Sequence, residues 1–433
     1  MALIRSWVPG ANDAESSFPL NNLPCGVFSC LGEAPRCGVA IGDMIVDMAK
    51  LERAGLLHIS AEPLFDKPFW NALMAAGPST WSRMRGRLIE LLAEGSAEAR
   101  EVAPHLVSMN VAQLHLPFRI AEYTDFYAAR CHAENVGTMF RGAENALPPN
   151  WLHMPIGYNG RASSVVVSGT ELRRPWGQVK HPNEITPQFS PSTRFDFELE
   201  LGAVVGMPSQ PGRPVTVEEA DAMIFGYVLL NDWSARDIQA WEYQPLGPFQ
   251  SKATATTISP WIVTRAALEP FRVETPTRQA ALLPYLAEPR AMNYDIALEV
   301  GLTPQGGTET VICRTNASQL YYSAGQQLAH HTLSGCAMST GDLLGSGTIS
   351  GPDKASRGSM LELSWGGTER VMISGGSRSF LEDGDQITLR GRAQGDGYAI
   401  GFGDCSGRLL AALTDPYARE DGVYDACRTP RSI

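Results

Sequence analysis

The sequence has no long hydrophobic run, no excess of positive charge and few cysteines. Its longest apolar stretches, such as 223–230, fall far short of the ~20 residues that span a bilayer. The N-terminal segment MALIRSWVPGANDAESS has no extended apolar core, so we expect no signal peptide. Among 433 residues, 35 Lys and Arg face 46 Asp and Glu, a net charge of −11 without any basic run. These absences predict a protein that binds neither membrane nor nucleic acid.

The eight cysteines are scattered. No pair has the CxxC spacing, and none combines with histidine at the spacing of a zinc site. In a chain this long, so little cysteine is typical of reduced thiols buried in a core. We therefore expect a cytoplasmic protein without disulfides.

The 42 glycines and 30 prolines punctuate short apolar runs along the whole chain. This pattern favours many strands joined by turns and predicts a mainly β fold with some α. A strand-like segment at 37–47 and a helical stretch at 78–102 precede residue 117. After it, the composition changes to long segments that are interrupted by Gly and Pro and rich in aromatic and acidic residues. We therefore predict an N-terminal domain at 1–117, a larger, β-rich domain at 118–415 and a polar tail at 416–433.

Acidic and apolar residues alternate through 195–201. A period of two is typical of a strand and places Asp196, Glu198 and Glu200 on one face. Such a face is either solvated or neutralised by a divalent ion, since three like charges repel. Both readings stay open on this segment alone.

Two further acids extend this candidate metal site. Asp232 follows a buried strand predicted at 224–230, and Ser234 then begins a helical pattern with Asp237 as a capping partner. Asp125 shares a helix face with His132 if the segment between them is helical. A set made only of carboxylates suits a hard cation, Ca²⁺ or Mg²⁺.

Several polar residues are candidates for catalysis. His132 has acidic and aromatic surroundings that suit a general base, although a structural histidine is the alternative. Arg236, Gln239 and Tyr243 lie on one face of the helix after Asp232, where they either meet a ligand or form a polar surface. The remaining candidates are Lys252 and Thr256 in a loop, and Glu362 in an alternating segment at 360–365.

Two other features favour structural roles. The glycine-rich segment 341–351 lacks the Gly-Lys-Ser/Thr ending of a phosphate-binding loop, so we predict a turn between strands. His330 and His331 follow an amphipathic run, and we predict that both lie at a helix end.

Eight long motifs in one order resemble the fumarylacetoacetase family. They include Tyr-Thr-Asp-Phe-Tyr (123–127), His-Ala-Glu-Asn-Val-Gly (132–137), Asn-Asp-Trp-Ser-Ala-Arg-Asp-Ile-Gln (231–239) and Gln-Gly-Asp-Gly-Tyr-Ala-Ile-Gly-Phe-Gly (394–403). The likeness runs from about residue 22 to 413, and so includes the N-terminal domain.

The resemblance implies a fold and an activity. The expected fold is an SH3-like N-terminal barrel followed by a mixed β-roll. The expected protein is a cytoplasmic homodimer that hydrolyses 4-fumarylacetoacetate, a β-diketo dicarboxylate, to fumarate and acetoacetate. This reaction is the last step of tyrosine and phenylalanine degradation.

The resemblance also assigns roles to residues of this sequence. Calcium would be bound by Asp125, Glu198, Glu200 and Asp232. Magnesium would lie near Asp232, Lys252 and Thr256. His132 would be the general base, oriented by Glu362, and Arg236, Gln239 and Lys252 would stabilise the oxyanion. Substrate contacts would come from Tyr127, Arg141, Tyr158, Gln239, Tyr243 and Thr348.

The lysine loop departs from the family pattern, because Ser251 and Ala255 stand where the family has glycine. We therefore expect a stiffer loop, which affects the magnesium site and the pose of Lys252. Asp196 is not a ligand in the family, and we expect it to support the ligands or to be solvated. The alternatives are a hydrolase of another acyl-pyruvate or β-diketo acid and a non-catalytic ligand-binding scaffold.

Overall fold

The computed structural model describes residues 2–415 and Tyr417. The tail predicted at 416–433 therefore lies, apart from Tyr417, outside the described residues. Within these residues, no helix combines the length and the apolar character needed to cross a membrane.

The described N-terminal part contains five strands and four α-helices. The strands are β1 (Cys25–Ser29), β2 (Arg36–Ile41), β3 (Met44–Asp47), β4 (Leu106–Ser108) and β5 (Gln113–His115). The helices are α1 (Met48–Arg53), α2 (Asn71–Ala75), α3 (Pro78–Leu92) and α4 (Ala99–Val102).

The five strands are antiparallel in the order β5-β1-β2-β3-β4. Between residues 2 and 415, β4 pairs only with β3, so closure into an SH3-like barrel stays a prediction. The helical stretch expected at 78–102 is confirmed in two pieces. α3 begins with Pro78, where the missing N–H costs nothing, and Gly95 at φ +83° lies in the turn before α4.

The rest of the described chain is rich in strands. They are β6 (Tyr123–Phe126), β7 (Gly157–Asn159), β8 (Val165–Val167), β9 (Glu171–Arg173), β10 (Trp176–Val179), β11 (Gln188–Pro191), β12 (Phe195–Asp196), β13 (Leu199–Val205), β14 (Ile224–Asp232), β15 (Ser234–Ala235), β16 (Thr256–Ile258), β17 (Trp261–Thr264), β18 (Arg272–Val273), β19 (Asn293–Tyr294), β20 (Ala297–Thr303), β21 (Thr310–Asn316), β22 (Leu343–Gly345), β23 (Val371–Ile373), β24 (Gly376–Arg378), β25 (Gln386–Gln394), β26 (Ala399–Gly401) and β27 (Cys405–Leu410). The helices are α5 (Arg130–Arg141), α6 (Val217–Met223), α7 (Arg236–Glu242), α8 (Arg265–Leu268), α9 (Ala324–Thr332) and α10 (Met360–Leu363).

One large mixed sheet joins the two parts of the chain. Its order is β4-β3-β2-β1-β17-β14-β13-β22-β6-β7, with parallel pairing between β22 and β6. A second sheet has the order β21-β20-β25-β27-β9, and its strands β20 and β25 share a core cluster with β14. The prediction of a β-rich mixed fold is therefore confirmed.

Strand β14 is buried along its whole length because both of its faces are covered. Tyr227 and Leu229 belong to the larger core cluster, which includes the second sheet. Phe225, Val228 and Leu230 belong to the cluster formed with the N-terminal part. A strand between two cores has no polar face, which explains the continuous apolar run that predicted it.

Two predicted elements were wrong. Asp125 lies on β6, and His132 lies on α5 after the non-helical residues 127–129, so the two do not share a helix. Residues 360–365 are not a strand, because Ser359 accepts a hydrogen bond from the N–H of Glu362 and so begins the short helix α10.

The acidic segment is also less regular than its alternation predicted. The strand is broken at Phe197, so that β12 and β13 are separate, and all three acids are buried. The solvated reading of this face is therefore wrong. Asp237 does not cap α7 through Ser234. Its carboxylate accepts hydrogen bonds from Ser192, Thr193 and the N–H of Arg194.

Candidate active site

A cavity of about 560 Å³ brings most of the predicted site residues together. Its lining comes from β6, α5, β7, β13, α7 and the loops around Lys252 and Thr348. The predicted residues that line it are Asp125, Tyr127, His132, Arg141, Tyr158, Glu198, Glu200, Arg236, Gln239, Tyr243, Lys252 and Thr348. The other three are not lining residues but contact them directly or through one another: Asp232 bonds to Tyr158 and Lys252, Glu362 bonds to His132, and Thr256 bonds to Asp232.

Three buried carboxylates form a compact group, and two of them, Asp125 and Glu200, line the cavity. Asp125 on β6, Glu200 on β13 and Asp232 on β14 each place one oxygen within 4.8 Å of the others. Asp125 Oδ1 and Glu200 Oε1 are buried without a hydrogen-bond partner. Gly345 faces this group, and a Cβ there would lie 2.6 Å from Asp125 Oδ1. The group has the charge, the free oxygens and the space that a hard cation requires.

Burial makes this group electrostatically unfavourable without a counter-charge. Burial raises the pKa of Asp125 and of Glu200 well above the usual range, and repulsion from Asp232 adds to it. Burial also raises the pKa of Asp232, while the neighbouring ammonium of Lys252 opposes that shift. Lys252 Nζ donates to Asp232 Oδ2 at 2.6 Å. One ammonium does not balance three carboxylates, so a divalent cation fits here.

Glu198 differs from these three acids because cations already contact both of its oxygens. Arg236 Nη2 donates to Oε1 at 2.5 Å, and Lys252 Nζ donates to Oε2. Burial alone would raise the pKa of Glu198, but Arg236 and Lys252 hold it well below its usual value. Glu198 therefore links the carboxylate group to the cationic side of the cavity.

His132 and Glu362 form a buried pair beside the carboxylates. His132 Nδ1 lies 2.7 Å from Glu362 Oε2, and Asn135 Nδ2 donates to Oε1 at 2.8 Å. Ser350 and Ser359 donate to Oε2 as well. Burial would raise the pKa of Glu362, but His132 and these hydrogen bonds together lower it. The carboxylate therefore stays ionised and orients the ring through Nδ1.

Helix α7 and the segments around it supply polar groups to the cavity. Arg236 Nη1 donates to Gln239 Oε1 at 3.1 Å, and Tyr243 follows one turn later. Tyr158 contacts both Asp125 Oδ2 and Asp232 Oδ2, at 2.9 and 3.1 Å. Thr348 presents a buried hydroxyl without a partner.

Two predicted substrate contacts are already engaged with the protein. Arg141 donates from Nε and Nη2 to the carbonyls of Asn145 and Ala146. Tyr127 packs edge-on against the ring of His132, with 5.3 Å between ring centroids. Both side chains line the cavity, and both can contact a ligand there.

The lysine loop accommodates its two non-glycine residues. Ser251 and Ala255 are buried, and neither has a positive φ. Thr256 on β16 donates to Asp232 Oδ1 at 3.4 Å. His330 and His331 lie at the end of α9, as predicted, and bond to Tyr285 and Thr124 outside this cavity.

Asp196 is buried in a supporting position, one of the two alternatives expected for it, but the sequence did not predict its partners. Its carboxylate accepts hydrogen bonds from Arg236 Nε and from the N–H groups of Met360 and Leu361. It therefore ties the cationic group to α10, the helix that carries Glu362. The alternation through 195–201 was the available signal, but the strand is interrupted between Asp196 and Leu199, and Asp196 is not part of the compact group of Asp125, Glu200 and Asp232.

Comparison with known proteins agrees with this geometry. The family model "Fumarylacetoacetate (FAA) hydrolase C-terminal" matches residues 122–409, and "Fumarylacetoacetase N-terminal" matches 21–117. The fold and the site thus define a hydrolase of the fumarylacetoacetate hydrolase class. Fumarylacetoacetase of Bos taurus is 48% identical over 94% of this chain and 99% of its own length. Fumarylacetoacetase of Arabidopsis thaliana is 47% identical over 95% of this chain and 99% of its own length. The chain belongs to the fumarylacetoacetase family.

A solved structure supports the fold alone. The crystal structure of Cg1458 with inhibitor has a TM-score of 0.52 at 14% identity, covering 90% of this chain and all of the other. At this identity the likeness extends to the architecture and not to the activity.

Proposed function

We propose that this hydrolase cleaves the carbon–carbon bond of 4-fumarylacetoacetate with water, giving fumarate and acetoacetate. The observation that carries the proposal is that Asp125 and Glu200, two members of the buried carboxylate group, line the same cavity as His132, whose Nδ1 is held by Glu362. The family relationship supports the choice of substrate. It also supports a place at the end of tyrosine and phenylalanine degradation, in a cytoplasmic homodimer.

The metal of this proposal is Ca²⁺, held by Asp125, Glu198, Glu200 and Asp232. When bound, such a cation stabilises negative charge on substrate oxygens. Mg²⁺ is proposed near Asp232, Lys252 and Thr256, in a supporting role. The free oxygens of Asp125 and Glu200 favour the first site.

His132 starts the reaction as general base. With Nδ1 held by Glu362, Nε2 takes a proton from water, and the water oxygen bonds to the fumaroyl carbonyl carbon. The carbon–carbon bond then breaks, and its electron pair leaves with acetoacetate as an enolate. The proton taken by His132 is returned to the enolate carbon. The products are acetoacetate and fumarate, whose new carboxyl group ionises.

The cationic residues stabilise the charges that develop in this sequence. Arg236, Gln239 and Lys252 face the tetrahedral oxyanion, for which positioned donors lower the barrier. Substrate contacts come from the remaining polar lining, in which the guanidinium of Arg141 suits a carboxylate. This remaining lining consists of Tyr127, Arg141, Tyr158, Tyr243 and Thr348.

The test is the loss of fumarylacetoacetate absorbance with purified enzyme, with chelator, and with Ca²⁺ restored after chelation. We expect metal-dependent loss with equal yields of fumarate and acetoacetate. No loss with folded, metal-loaded enzyme would contradict the proposal. Turnover of a different acyl-pyruvate would then favour the related hydrolase, and binding without turnover would favour a scaffold.

A further inference from the structure

Glu242 ends helix α7 outside the cavity, yet its carboxylate makes an unusual set of contacts. It accepts hydrogen bonds from three successive backbone N–H groups across a loop. Phe249 and Ser251 donate to Oε1, both at 2.8 Å, and Gln250 donates to Oε2 at 3.1 Å. A carboxylate with three such bonds is a firm anchor, because bonds to a charged acceptor are the stronger kind.

These N–H groups lie at the start of the turn that carries Lys252. The turn Gln250–Lys252 is a short 3₁₀ helix, and the first N–H groups of a helix have no partner within it. Glu242 supplies that partner, and an anion at this end is favourable. Lys252 then reaches Glu198 and Asp232 from the end of the turn.

The same contacts close a loop that forms one wall of the cavity. Residues 243–248 connect Glu242 to Phe249, and Tyr243, Leu246, Gly247 and Pro248 line the cavity. Leu246 is 93% exposed, so packing does little to hold this loop. The backbone of Glu242 holds one end of the loop, and its carboxylate holds the other.

We propose that Glu242 is a positioning residue that fixes both the substrate-facing wall 243–248 and the ammonium of Lys252. It touches neither the substrate nor the carboxylate group, and it acts through the loop alone. The catalytic part of this inference rests on the proposed function, whereas the anchoring of the loop does not.

Three variants separate the contacts. Glu242→Ala removes all three acceptor bonds. Glu242→Gln retains one acceptor oxygen and places an NH₂ group against one N–H, so it keeps at most two bonds. Glu52→Ala is the matched control, because the Glu52 carboxylate also accepts from two loop N–H groups, those of Leu64 and Phe65, in the N-terminal part.

The first measurement is hydrogen exchange of residues 249–252 in the metal-loaded protein. We expect exchange at least about tenfold faster in Glu242→Ala, with Glu242→Gln between it and the parent, because opening of the loop sets the rate. The Glu52→Ala control should leave this segment unchanged. Unchanged exchange in Glu242→Ala would overturn the anchor, whether or not the enzyme hydrolyses fumarylacetoacetate.

The second measurement is kcat and KM with fumarylacetoacetate. We expect Glu242→Ala to lower kcat/KM by about tenfold to hundredfold, the range that follows when catalytic groups are displaced by about 1 Å. KM should rise, because the loop wall contacts substrate. A merely structural loss of active enzyme would lower kcat and leave KM unchanged.

The outcomes are distinguishable. Faster exchange with a raised KM, partly restored in Glu242→Gln, supports the proposal. Faster exchange with an unchanged KM overturns the positioning role. If the parent enzyme has no turnover, the proposed function fails, and the exchange data alone decide whether Glu242 anchors the loop.

Discussion

Glu362 illustrates how single residues set the chemistry of this site. A fully buried carboxylate is costly unless hydrogen bonds satisfy it, and Glu362 has four partners around its two oxygens. Two of them, Ser350 and Ser359, hold the carboxylate in place independently of the histidine. The orientation of His132 is therefore built into the protein before substrate arrives.

This arrangement predicts that the His132→Ala variant loses turnover but keeps its affinity for Ca²⁺. Turnover of fumarylacetoacetate should fall by at least about 10²-fold, the contribution of a general base. Ca²⁺ affinity measured by calorimetry should stay within about threefold, because the carboxylate group does not include His132. His115→Ala, which loses a bond to Ser29 away from the cavity, is the control. Near-normal turnover without His132 would remove it as the base.

At this scale the resemblance predicted which residues meet and that Glu362 pairs with His132, but it did not predict the other ion pairs and hydrogen bonds of the site. The acids, His132 and Glu362 were recognised from motifs, and the structure brings them to one cavity. The ion pairs of Glu198 with Arg236 and Lys252 depend on the approach of α7 and a distant loop. No local pattern encodes that approach, and the same applies to the hydrogen bonds of Asp196 with α10.

At the scale of elements, neighbouring strands create the carboxylate group. β22 lies between β13 and β6, and its Gly345 pairs with both Gly202 and Asp125. Asp125 and Glu200 therefore flank a strand that has no side chain at the critical position. The alternation of acids predicted a strand, but only the sheet order shows why a glycine beside it matters.

The Gly345→Ala variant tests whether the metal site needs the space that the missing side chain leaves beside Asp125 and Glu200. An added Cβ would lie 2.6 Å from Asp125 Oδ1 and 3.0 Å from Glu200 Oε2, so these oxygens must move. We expect Ca²⁺ affinity to fall by about tenfold or more, a change of about 1.4 kcal/mol. Gly376→Ala, on the strand β24 with open space around it, should bind Ca²⁺ normally. Equal affinities by calorimetry would contradict the assigned site.

The same strands predict how pH acts on stability. Burial raises the pKa of Asp125 and Glu200 in the folded protein, and repulsion from Asp232 adds to it. An acid with a raised folded pKa binds its proton more tightly when folded. In protein from which a chelator has removed the metal, the stabilisation that this acid contributes therefore decreases as pH rises from about 4 through the raised folded-state pKa.

Bound Ca²⁺ compensates the charges that appear over this range. The gain in Tm on adding Ca²⁺ to chelated protein should therefore grow between about pH 4.5 and about pH 8. Thermal unfolding with and without the ion measures this gain. The Asp125→Asn variant should show a smaller gain with a weaker pH dependence. A gain that is constant across this range would contradict the shifted carboxylates.

At the scale of the whole molecule, the two parts of the chain share one sheet and one of the core clusters. β1 pairs with β17, so the N-terminal strands extend the sheet that carries the acids. The N-terminal core cluster takes in Val204, Phe225, Val228, Leu230 and Ile262 from the rest of the chain. The sequence placed a boundary near 117 because composition changes there, but composition does not report which surfaces pack together.

Removing residues 1–117 should therefore damage the remaining chain. Each of the five apolar side chains would lose burial worth about 1.5–3 kcal/mol. Their sum approaches the whole stability of a typical domain, about 5–15 kcal/mol. We expect 118–433 expressed alone to aggregate, or to bind a hydrophobic dye without near-ultraviolet dichroism. Co-expression with 1–117 should restore soluble protein, because the shared sheet and core can form between two chains. A soluble, monodisperse and active 118–433 would show instead that the catalytic cavity folds without its N-terminal neighbour.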